Sequence, residues 1–322
     1  MKRKITALTI AFLLCAGFPV RTLAAELLVP GGQLIALELR DNSVTVAAYD
    51  DALGENARKA GLQVGDVIQA IDDRAVSSAG DVQQALSHCG DHLTLTILRG
   101  SRRLHLRMTP CQTDAGPKLG VYLRQGVAGV GTITFFEPET NQFGTLGHGV
   151  CDSGGTLLQM TGGQARDASI LSVKKGLCGS PGQLRGSAEA GAAIGSLYKN
   201  TPQGVFGRLD RPLPGEALPT ADYSEIHTGP AVIRSTINDG GVQEYSVEIL
   251  KIYPEDRSDS RNFLLRVTDP ALLSATGGIV QGMSGSPIIQ DGRLIGAVTH
   301  VLVNDPTTGY GIFIENMLDA AA

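Results

Sequence analysis

Residues 282–287 read Gly-Met-Ser-Gly-Ser-Pro and lie between two apolar runs that are typical of β-strands. Glycine permits a sharp backbone turn close to Ser284, so that the hydroxyl projects outward. The same turn directs nearby backbone amides toward one point, where the oxyanion of a tetrahedral intermediate would form. The stretch therefore indicates a nucleophilic serine, and its alternative interpretation is an ordinary Gly-Ser turn of a β protein.

The composition of the whole chain favours a turn-rich β protein. The 322 residues include 41 glycines and no tryptophan, and 18% of them are charged. This length is enough for two domains with separate cores. The net charge is −5, and no basic cluster follows the opening residues, so nucleic acid is not an expected partner.

Residues 1–25 have the pattern of an export signal. Lys2, Arg3 and Lys4 precede an uncharged stretch over residues 5–20, and small residues follow at the usual cleavage spacing. Sixteen uncharged residues are fewer than the ~20 that span a bilayer, which favours a cleaved signal peptide over a membrane anchor. The sequence thus predicts an exported, extracytoplasmic protein, with membrane association through the N-terminus as the alternative.

Four cysteines remain after this leader, and their spacing shows no zinc pattern and no CxxC pair. An even number outside the cytoplasm permits disulfides, and buried free thiols are the alternative. No metal or organic cofactor is expected. The four are Cys89, Cys111, Cys151 and Cys178.

Residues 26–112 alternate short strand and helix patterns and end in a hairpin around residues 99–102. The string AGLQVGDVI at residues 60–68 resembles the signature of PDZ domains. Such domains add an extended peptide to a sheet edge and hold its terminal carboxylate in a glycine-rich loop. By this analogy the carboxylate loop and peptide-binding strand would be Gly31, Gly32, Gln33, Leu34 and Ile35.

Residues 113–322 begin with a polar Gly/Pro stretch and then change in character. Three segments, at residues 131–147, 195–207 and 296–311, each contain an apolar run, a polar turn with threonine and a second run. Repeated hairpins of this kind predict an antiparallel all-β barrel or sandwich. The expected fold class is therefore mainly β, with an N-terminal α+β domain before an all-β domain.

A histidine between two glycines ends the first of these hairpins. His148 is expected to reach a site with little steric hindrance, and its pKa near neutrality suits the removal of a serine proton. A turn histidine in water is the alternative interpretation of the same residues.

Three stretches together closely resemble the stage IV sporulation protein B peptidases: residues 143–148, 277–287 and 296–301. The resemblance implies a PDZ domain followed by a double-barrel, trypsin-like serine peptidase domain. It implies His148 as general base, Ser284 as nucleophile, and the amides of Gly282 and Ser284 as the oxyanion hole. It also implies Asp269, 15 residues before the serine, as the third catalytic member. Asp269 before Pro270 equally fits a helix cap, and Asp152 is the alternative third member.

The same resemblance implies a serine endopeptidase of spore formation in the space around the forespore. Such an enzyme cleaves itself and cuts a membrane-bound regulator of an intramembrane protease, which activates late mother-cell transcription. The alternatives are a non-catalytic PDZ signalling scaffold and a quality-control protease with PDZ modules. The position of the PDZ domain before the serine and the GMSGS motif count against the quality-control class.

Overall fold

The computed structural model describes residues 26–152, 155–253 and 261–322. The expected leader at residues 1–25 lies outside these ranges. The described residues form mainly β-strands, which confirms the expected fold class. They build two closed barrels, an open six-stranded sheet and a separate two-stranded sheet. None of the helices in these ranges is both long and apolar enough to cross a membrane.

The first half of the chain forms eleven strands and two helices within the described residues. They are β1 (Leu27–Pro30), β2 (Leu34–Asp41), β3 (Val44–Tyr49), α1 (Glu55–Lys59), β4 (Val67–Ile71), β5 (Arg74–Ala75), α2 (Ala79–Leu86), β6 (Leu93–Arg99), β7 (Arg102–Met108), β8 (Cys111–Thr113), β9 (Gly116–Lys118), β10 (Val121–Arg124) and β11 (Val127–Phe136).

The second half adds twelve strands, two helices and a 3-10 turn at Tyr223–Glu225 in the part described. They are β12 (Gln142–Thr145), β13 (Met160–Lys174), β14 (Gln183–Ala188), β15 (Gly195–Thr201), β16 (Gly204–Leu209), β17 (Leu218–Pro219), β18 (Gly229–Ser235), β19 (Gln243–Ile252), β20 (Phe263–Val267), α3 (Pro270–Thr276), β21 (Pro287–Gln290), β22 (Arg293–Leu302), β23 (Asp305–Phe313) and α4 (Ile314–Ala321).

Six strands close the first barrel, in the order β2, β11, β12, β16, β15 and β13, with β13 pairing back to β2. Buried apolar side chains fill it, among them Ile35, Leu37, Phe143 and Leu197. Two of the three predicted hairpins, β11–β12 and β15–β16, lie here and are confirmed.

The second barrel contains β18 to β23, also closed. Its core includes Phe263 and Phe313, whose rings meet edge to face at 4.8 Å. The third predicted hairpin, β22–β23, belongs to this barrel and is confirmed. Helix α4 packs beside both barrels, with Met317 buried against Phe135 and Phe206 of the first barrel and Ile312 of the second.

An α+β unit is inserted between two strands of the first barrel. Its sheet has the order β10, β3, β4, β6, β7, and it has its own core over α1 and α2. Helix α2 begins at Ser78, whose hydroxyl accepts the Asp81 amide at 3.1 Å. The chain leaves the barrel after β2 and returns at β11, so the inserted unit covers about residues 44–124.

This insertion corrects the predicted division of the chain at residues 112 and 113. Strand β2 belongs to the first barrel and β1 pairs with its strand β11, although both precede the inserted unit in sequence. Strand β10 lies after the predicted boundary but pairs with β3 of the inserted sheet. A local sequence pattern shows that a strand forms and does not show which distant strand it pairs with.

The same topology corrects the predicted peptide-binding residues. Gly31, Gly32 and Gln33 form the turn between β1 and β2, and Leu34 and Ile35 begin β2. Strand β2 is paired on one side with β11 and on the other with β13, so neither edge is open to a peptide. Gly31 and Gly32 donate their amides to the Thr134 and Ile133 carbonyls, which makes them part of the barrel wall.

Candidate active site

A tight turn between the two barrels presents Ser284. Gly282 and Gly285 flank it with φ angles of 100° and 94°, a region that L side chains rarely adopt. A Cβ atom on Gly285 would lie 2.1 Å from the Thr132 carbonyl oxygen and 2.5 Å from the Leu146 amide nitrogen. Glycine at position 285 therefore lets the serine turn lie directly against the first barrel.

Two threonines of β11 hold the carbonyl groups of this turn. The Thr132 hydroxyl donates to the Gly282 carbonyl at 2.8 Å, and the Thr132 amide donates to the Ser284 carbonyl at 3.0 Å. The Thr134 hydroxyl donates to the Gly285 carbonyl at 2.7 Å. Both threonines are fully buried, so these bonds are shielded from water.

These two threonines were not among the site residues predicted from the sequence. Their signal was present as two hydroxyl residues alternating with Ile133 and Phe135 in an apolar strand. A buried hydroxyl requires a partner, and here the partner is the serine turn.

Two backbone amides of the same turn are free to donate a hydrogen bond to a ligand. Within the described part of the chain, the backbone N–H groups of Gly282 and Ser284 donate no hydrogen bond, whereas those of Met283, Gly285 and Ser286 do. The bonds to the first barrel fix the turn through its carbonyl groups, and the two unbonded amides can donate to an external acceptor. This arrangement suits the oxyanion hole predicted at Gly282 and Ser284.

His148 follows the end of β12 through two residues in the left-handed region, Leu146 at φ 70° and Gly147 at φ 67°. A non-glycine residue with such a φ is uncommon, and strain of this kind often lies at functional sites. A Cβ atom on Gly147 would lie 2.8 Å from the Thr299 methyl group and 3.0 Å from Ile312. Glycine at 147 therefore brings the histidine close to the second barrel.

A backbone carbonyl determines which nitrogen of His148 is basic. The Nδ1 atom lies 3.0 Å from the Gly149 carbonyl oxygen, which only accepts hydrogen bonds. Nδ1 therefore carries the proton, and Nε2 keeps the lone pair. Burial lowers the pKa of His148, an effect that the Gly149 carbonyl partly opposes. The imidazole is thus neutral near pH 7 and able to accept a proton.

The structure brings His148 and Ser284 into one cleft between the two barrels, with a volume of about 410 Å³. The Ser284 hydroxyl donates to the Thr299 carbonyl at 2.9 Å. Among the described residues no hydrogen bond joins His148 to Ser284. Catalytic hydrogen bonds are often long or poorly aligned before substrate binds and tighten in the enzyme–substrate complex. His300 lines the same cleft, and its ring centroid lies 5.2 Å from that of His148.

Asp269 is not brought to His148. One of its carboxylate oxygens accepts the Leu272 amide at 2.9 Å, and the other lies 3.5 Å from the Ser246 amide. It is the N-cap of α3, with Pro270 at the first helical position, as the alternative interpretation predicted. The structure therefore does not show Asp269 beside His148, as the predicted third catalytic role requires: one of its oxygens faces an amide of α3 and the other an amide of β19.

The other candidate, Asp152, lies on an exposed turn and accepts the Thr156 amide at 3.0 Å. No carboxylate of the described residues contributes to the pKa shift of His148. The polar partner that the structure shows for His148 Nδ1 is the Gly149 carbonyl oxygen.

The tip of the β13–β14 hairpin forms one rim of the cleft. The Gln281 amide donates to the Gly182 carbonyl at 3.0 Å, and the Leu184 amide donates to the Gln281 carbonyl at 2.8 Å. Pro181 lines the cleft beside this contact. The hairpin thus supports the chain immediately before the serine turn.

The cysteines take no part in this arrangement. Cys89, Cys111, Cys151 and Cys178 are free thiols in the described structure. No group of histidine, cysteine, aspartate or glutamate side chains in the described ranges is arranged to hold a metal ion.

Comparison with known proteins gives a family for each part of the chain. Residues 54–99 match a PDZ domain model, which confirms the class predicted from residues 60–68. The mitochondrial serine protease HTRA2 of Drosophila ananassae is 28% identical over 102 residues, which is 29% of this chain and 24% of the relative. HTRA2 of Drosophila willistoni is 29% identical over 103 residues with the same coverage. The chain thus spans about a quarter of the length of the curated relatives it matches.

Among solved structures, the Rv3671c protease of M. tuberculosis in its active form aligns with a TM-score of 0.37 and 16% identity. The alignment covers 61% of this chain and 75% of that one. An inactive form of the same protease aligns with a TM-score of 0.34 and 15% identity, over 59% and 82% of the two chains.

The family model described as SpoIVB peptidase S55 matches residues 116–318, a range that contains His148, Asp269 and Ser284. This range covers well over half of the chain and confirms the resemblance seen in the sequence. The chain therefore belongs to the SpoIVB peptidase S55 family.

Proposed function

We propose that this protein is a serine endopeptidase in which Ser284 is the nucleophile and His148 the general base. The observation that carries the proposal is the cleft that both side chains line, at a turn whose Gly282 and Ser284 amides are unbonded in the described structure. A nucleophile, a neutral base and two fixed donors are the parts that acyl transfer requires.

The first chemical step needs a rotation of the Ser284 side chain away from the Thr299 carbonyl. The hydroxyl then gives its proton to His148 Nε2 while its oxygen attacks the carbonyl carbon of the substrate. The negative charge forms on the substrate oxygen, beside the amides of Gly282 and Ser284. One such donor is typically worth ~10²–10³ in kcat.

Collapse of this intermediate breaks the peptide bond. The imidazolium returns its proton to the leaving amine, and the acyl group stays on Ser284. Water activated by the same imidazole then hydrolyses the ester and restores the serine. The Gly149 carbonyl, which accepts from Nδ1, helps to stabilise the positive ring in both halves.

The inserted PDZ domain supplies a second peptide site in this proposal, at β10. This strand is at the edge of its sheet and pairs only with β3 within the described residues. The Gln125 side chain at its end donates to the Ser77 carbonyl at 2.8 Å, which ties the strand to the start of α2. Peptides add to PDZ sheets at such an edge, so a protein tail would bind along residues 121–124.

The proposed biological role is that of the SpoIVB peptidase family. The enzyme is exported, acts in the space around the forespore, cleaves itself, and cuts a membrane-bound regulator of an intramembrane protease to activate late mother-cell transcription. The match to the SpoIVB peptidase model and the leader pattern of residues 1–25 support this role.

The activity is tested by comparing Ser284→Ala with Ser286→Ala. Ser286 lies two residues away and is fully buried, and its hydroxyl donates to the Ser235 hydroxyl at 3.1 Å. Ser284→Ala should lose fluorophosphonate labelling and casein cleavage, with a loss of kcat of ~10⁴-fold or more. Ser286→Ala should keep both, and both variants should remain folded by circular dichroism.

Persistent labelling and cleavage in Ser284→Ala would contradict the proposal. Absence of labelling and cleavage in the folded wild-type chain would favour the PDZ scaffold instead. The biological role is tested separately, by whether heat-resistant spore formation requires Ser284 and not Ser286 in the organism that encodes the chain.

A further inference from the structure

The cleft beside His148 and Ser284 is lined mainly by apolar side chains. The first barrel contributes Leu37, Leu39, Val127 and Val130, and the second contributes Ile279, Val280, Val301 and Val303. Its polar lining side chains are Gln281, Ser284, Thr299 and the two histidines, and no aspartate, glutamate, lysine or arginine lines it in the described residues. A charged side chain entering this cleft would lose hydration without gaining a partner of opposite charge.

Gly129 lines this cleft, and a side chain at this position would project into it. Gly129 on β11 lies opposite Leu37 on β2, so its missing side chain would share a face with a leucine that lines the cleft. A Cβ atom at Gly129 would meet no atom within 4 Å. Its φ is outside the left-handed region, so the backbone conformation does not require glycine. The space above Gly129 therefore belongs to the cleft rather than to a packed core.

We infer that this cleft is the specificity pocket of the peptidase and takes an uncharged, apolar side chain of the residue next to the scissile bond. This inference rests on the proposed function, because it assumes that Ser284 attacks the bound peptide. The volume of about 410 Å³ lies within the range of ligand sites, ~300–1,000 Å³, and leaves room for a large side chain. Gly129 is the residue that keeps that room open.

The test uses the whole chain and a library of peptides from a digested proteome, with cleavage sites read by mass spectrometry. The wild-type enzyme should cut beside leucine, isoleucine, valine, methionine or phenylalanine and avoid charged residues at that position. Gly129→Leu should fill the cleft and lower kcat/KM for peptides with large apolar residues about tenfold or more, while peptides with alanine or glycine are less affected. Gly129→Glu should place a carboxylate in the cleft and introduce cleavage beside lysine or arginine.

Gly90 provides the matched control. It too would place a Cβ in open space, its φ is outside the left-handed region, and it lies in the inserted domain. Gly90→Leu should keep the wild-type cleavage profile. Fluorophosphonate labelling of Ser284 in each variant shows whether the catalytic turn remains intact, and thermal unfolding shows whether the fold does.

Wild-type cleavage mainly beside charged residues would overturn the inference while leaving the proposed function intact. A Gly129→Leu variant that is labelled by fluorophosphonate but keeps the wild-type cleavage profile would also overturn the inference. If Gly129→Leu fails to fold, Gly129→Glu provides the test instead. A labelled Gly129→Glu variant that keeps the wild-type cleavage profile would overturn the inference. A wild-type chain that neither labels nor cleaves would overturn the proposed function and this inference together.

Discussion

The Ser284 hydroxyl is hydrogen-bonded to the Thr299 carbonyl oxygen at 2.9 Å, so the structure shows a resting conformation of the nucleophile. A covalent phosphonate on Ser284 removes the donor hydrogen and must break this bond. We expect a crystal structure of the adduct to place the phosphonyl oxygen 2.7–3.1 Å from the Gly282 and Ser284 amides, about the distance of other oxyanion holes. A phosphonyl oxygen pointing away from both amides would refute this assignment of the oxyanion hole.

The lowered pKa of His148 predicts the pH dependence of activity. Burial is its main cause, so the imidazole stays neutral below the usual histidine value of about 6.5. We expect the acid limb of kcat/KM to lie below pH 6.5. His227 provides a control: it is exposed, and the Thr228 carbonyl and then Asp291 raise its pKa. His227→Gln should leave the limb unchanged, and an acid limb above pH 6.5 would show that another group is the base.

The same shift predicts a change in stability with a defined sign. The unfolded chain binds a proton at His148 near pH 6.5, whereas the folded chain binds it only at lower pH. The stability that His148 contributes is therefore complete above pH 6.5 and is lost as the pH falls toward the folded-state pKa. His148→Gln should flatten the pH dependence of the unfolding free energy in that window, as measured by urea denaturation. If the change of unfolding free energy with pH is the same in His148→Gln and in the wild type, the pKa of His148 is not lowered in the folded protein.

Asp269 should matter for stability and little for catalysis. Asp269→Ala removes the N-cap of α3, which should cost about 1 kcal/mol of unfolding free energy. Asparagine caps helices as well as aspartate, so Asp269→Asn should be nearly neutral. We expect kcat/KM to change less than about threefold in both variants, whereas loss of an orienting triad aspartate costs ~10⁴-fold. A loss of that size in the folded Asn variant would restore the triad role.

Thr132 should position the serine turn. Thr132→Val keeps the shape of the side chain and leaves the buried Gly282 carbonyl without its donor, at a cost of about 1–3 kcal/mol. Because this carbonyl holds the turn, we expect a decrease in kcat with little change in KM. Thr308→Val is the control, since the Thr308 hydroxyl donates to Asp305 at 2.6 Å, away from the turn. Equal kcat values in the two variants would assign Thr132 a purely structural role.

Substitution of Gly285 by alanine tests how closely the serine turn approaches the first barrel. Alanine at 285 meets two backbone atoms within 2.5 Å, and backbone atoms do not yield as a flexible side chain does. Gly292 also has a positive φ, 74°, but a Cβ there meets nothing within 4 Å. Gly292→Ala should cost about 1–2 kcal/mol from the left-handed backbone alone. Gly285→Ala should cost clearly more by thermal unfolding, and equal costs would mean that the approach is not tight.

Local features of the sequence predicted much of the fold. The three hairpins are correct because alternating strands and short turns are encoded by neighbouring residues. The string at residues 60–68 identified the PDZ domain for the same reason. The sequence Asp269-Pro270 predicted the start of a helix, and the structure confirms it.

Features that depend on distant pairing were not predicted. Gly31 and Gly32 look like a carboxylate loop in sequence, but their position depends on β2 meeting β11 and β13. The role of Thr132 was invisible for a similar reason, because its partner Gly282 is 150 residues away. His148 and Ser284 were paired only through the family resemblance, which carried the long-range information that spacing lacks.

The inserted position of the PDZ domain has a consequence for how the protein is made. Strand β2 is synthesised before residues 42–126, and its neighbour β11 after them. The first barrel therefore has no complete wall until the PDZ domain has emerged, and a PDZ domain that folds early would bring the ends of β2 and β11 together. Cutting the chain before residue 113 would remove β2 from the barrel, together with β1, which pairs with β11. A PDZ-free enzyme therefore has to be made by joining residue 41 to residue 127 through a short turn.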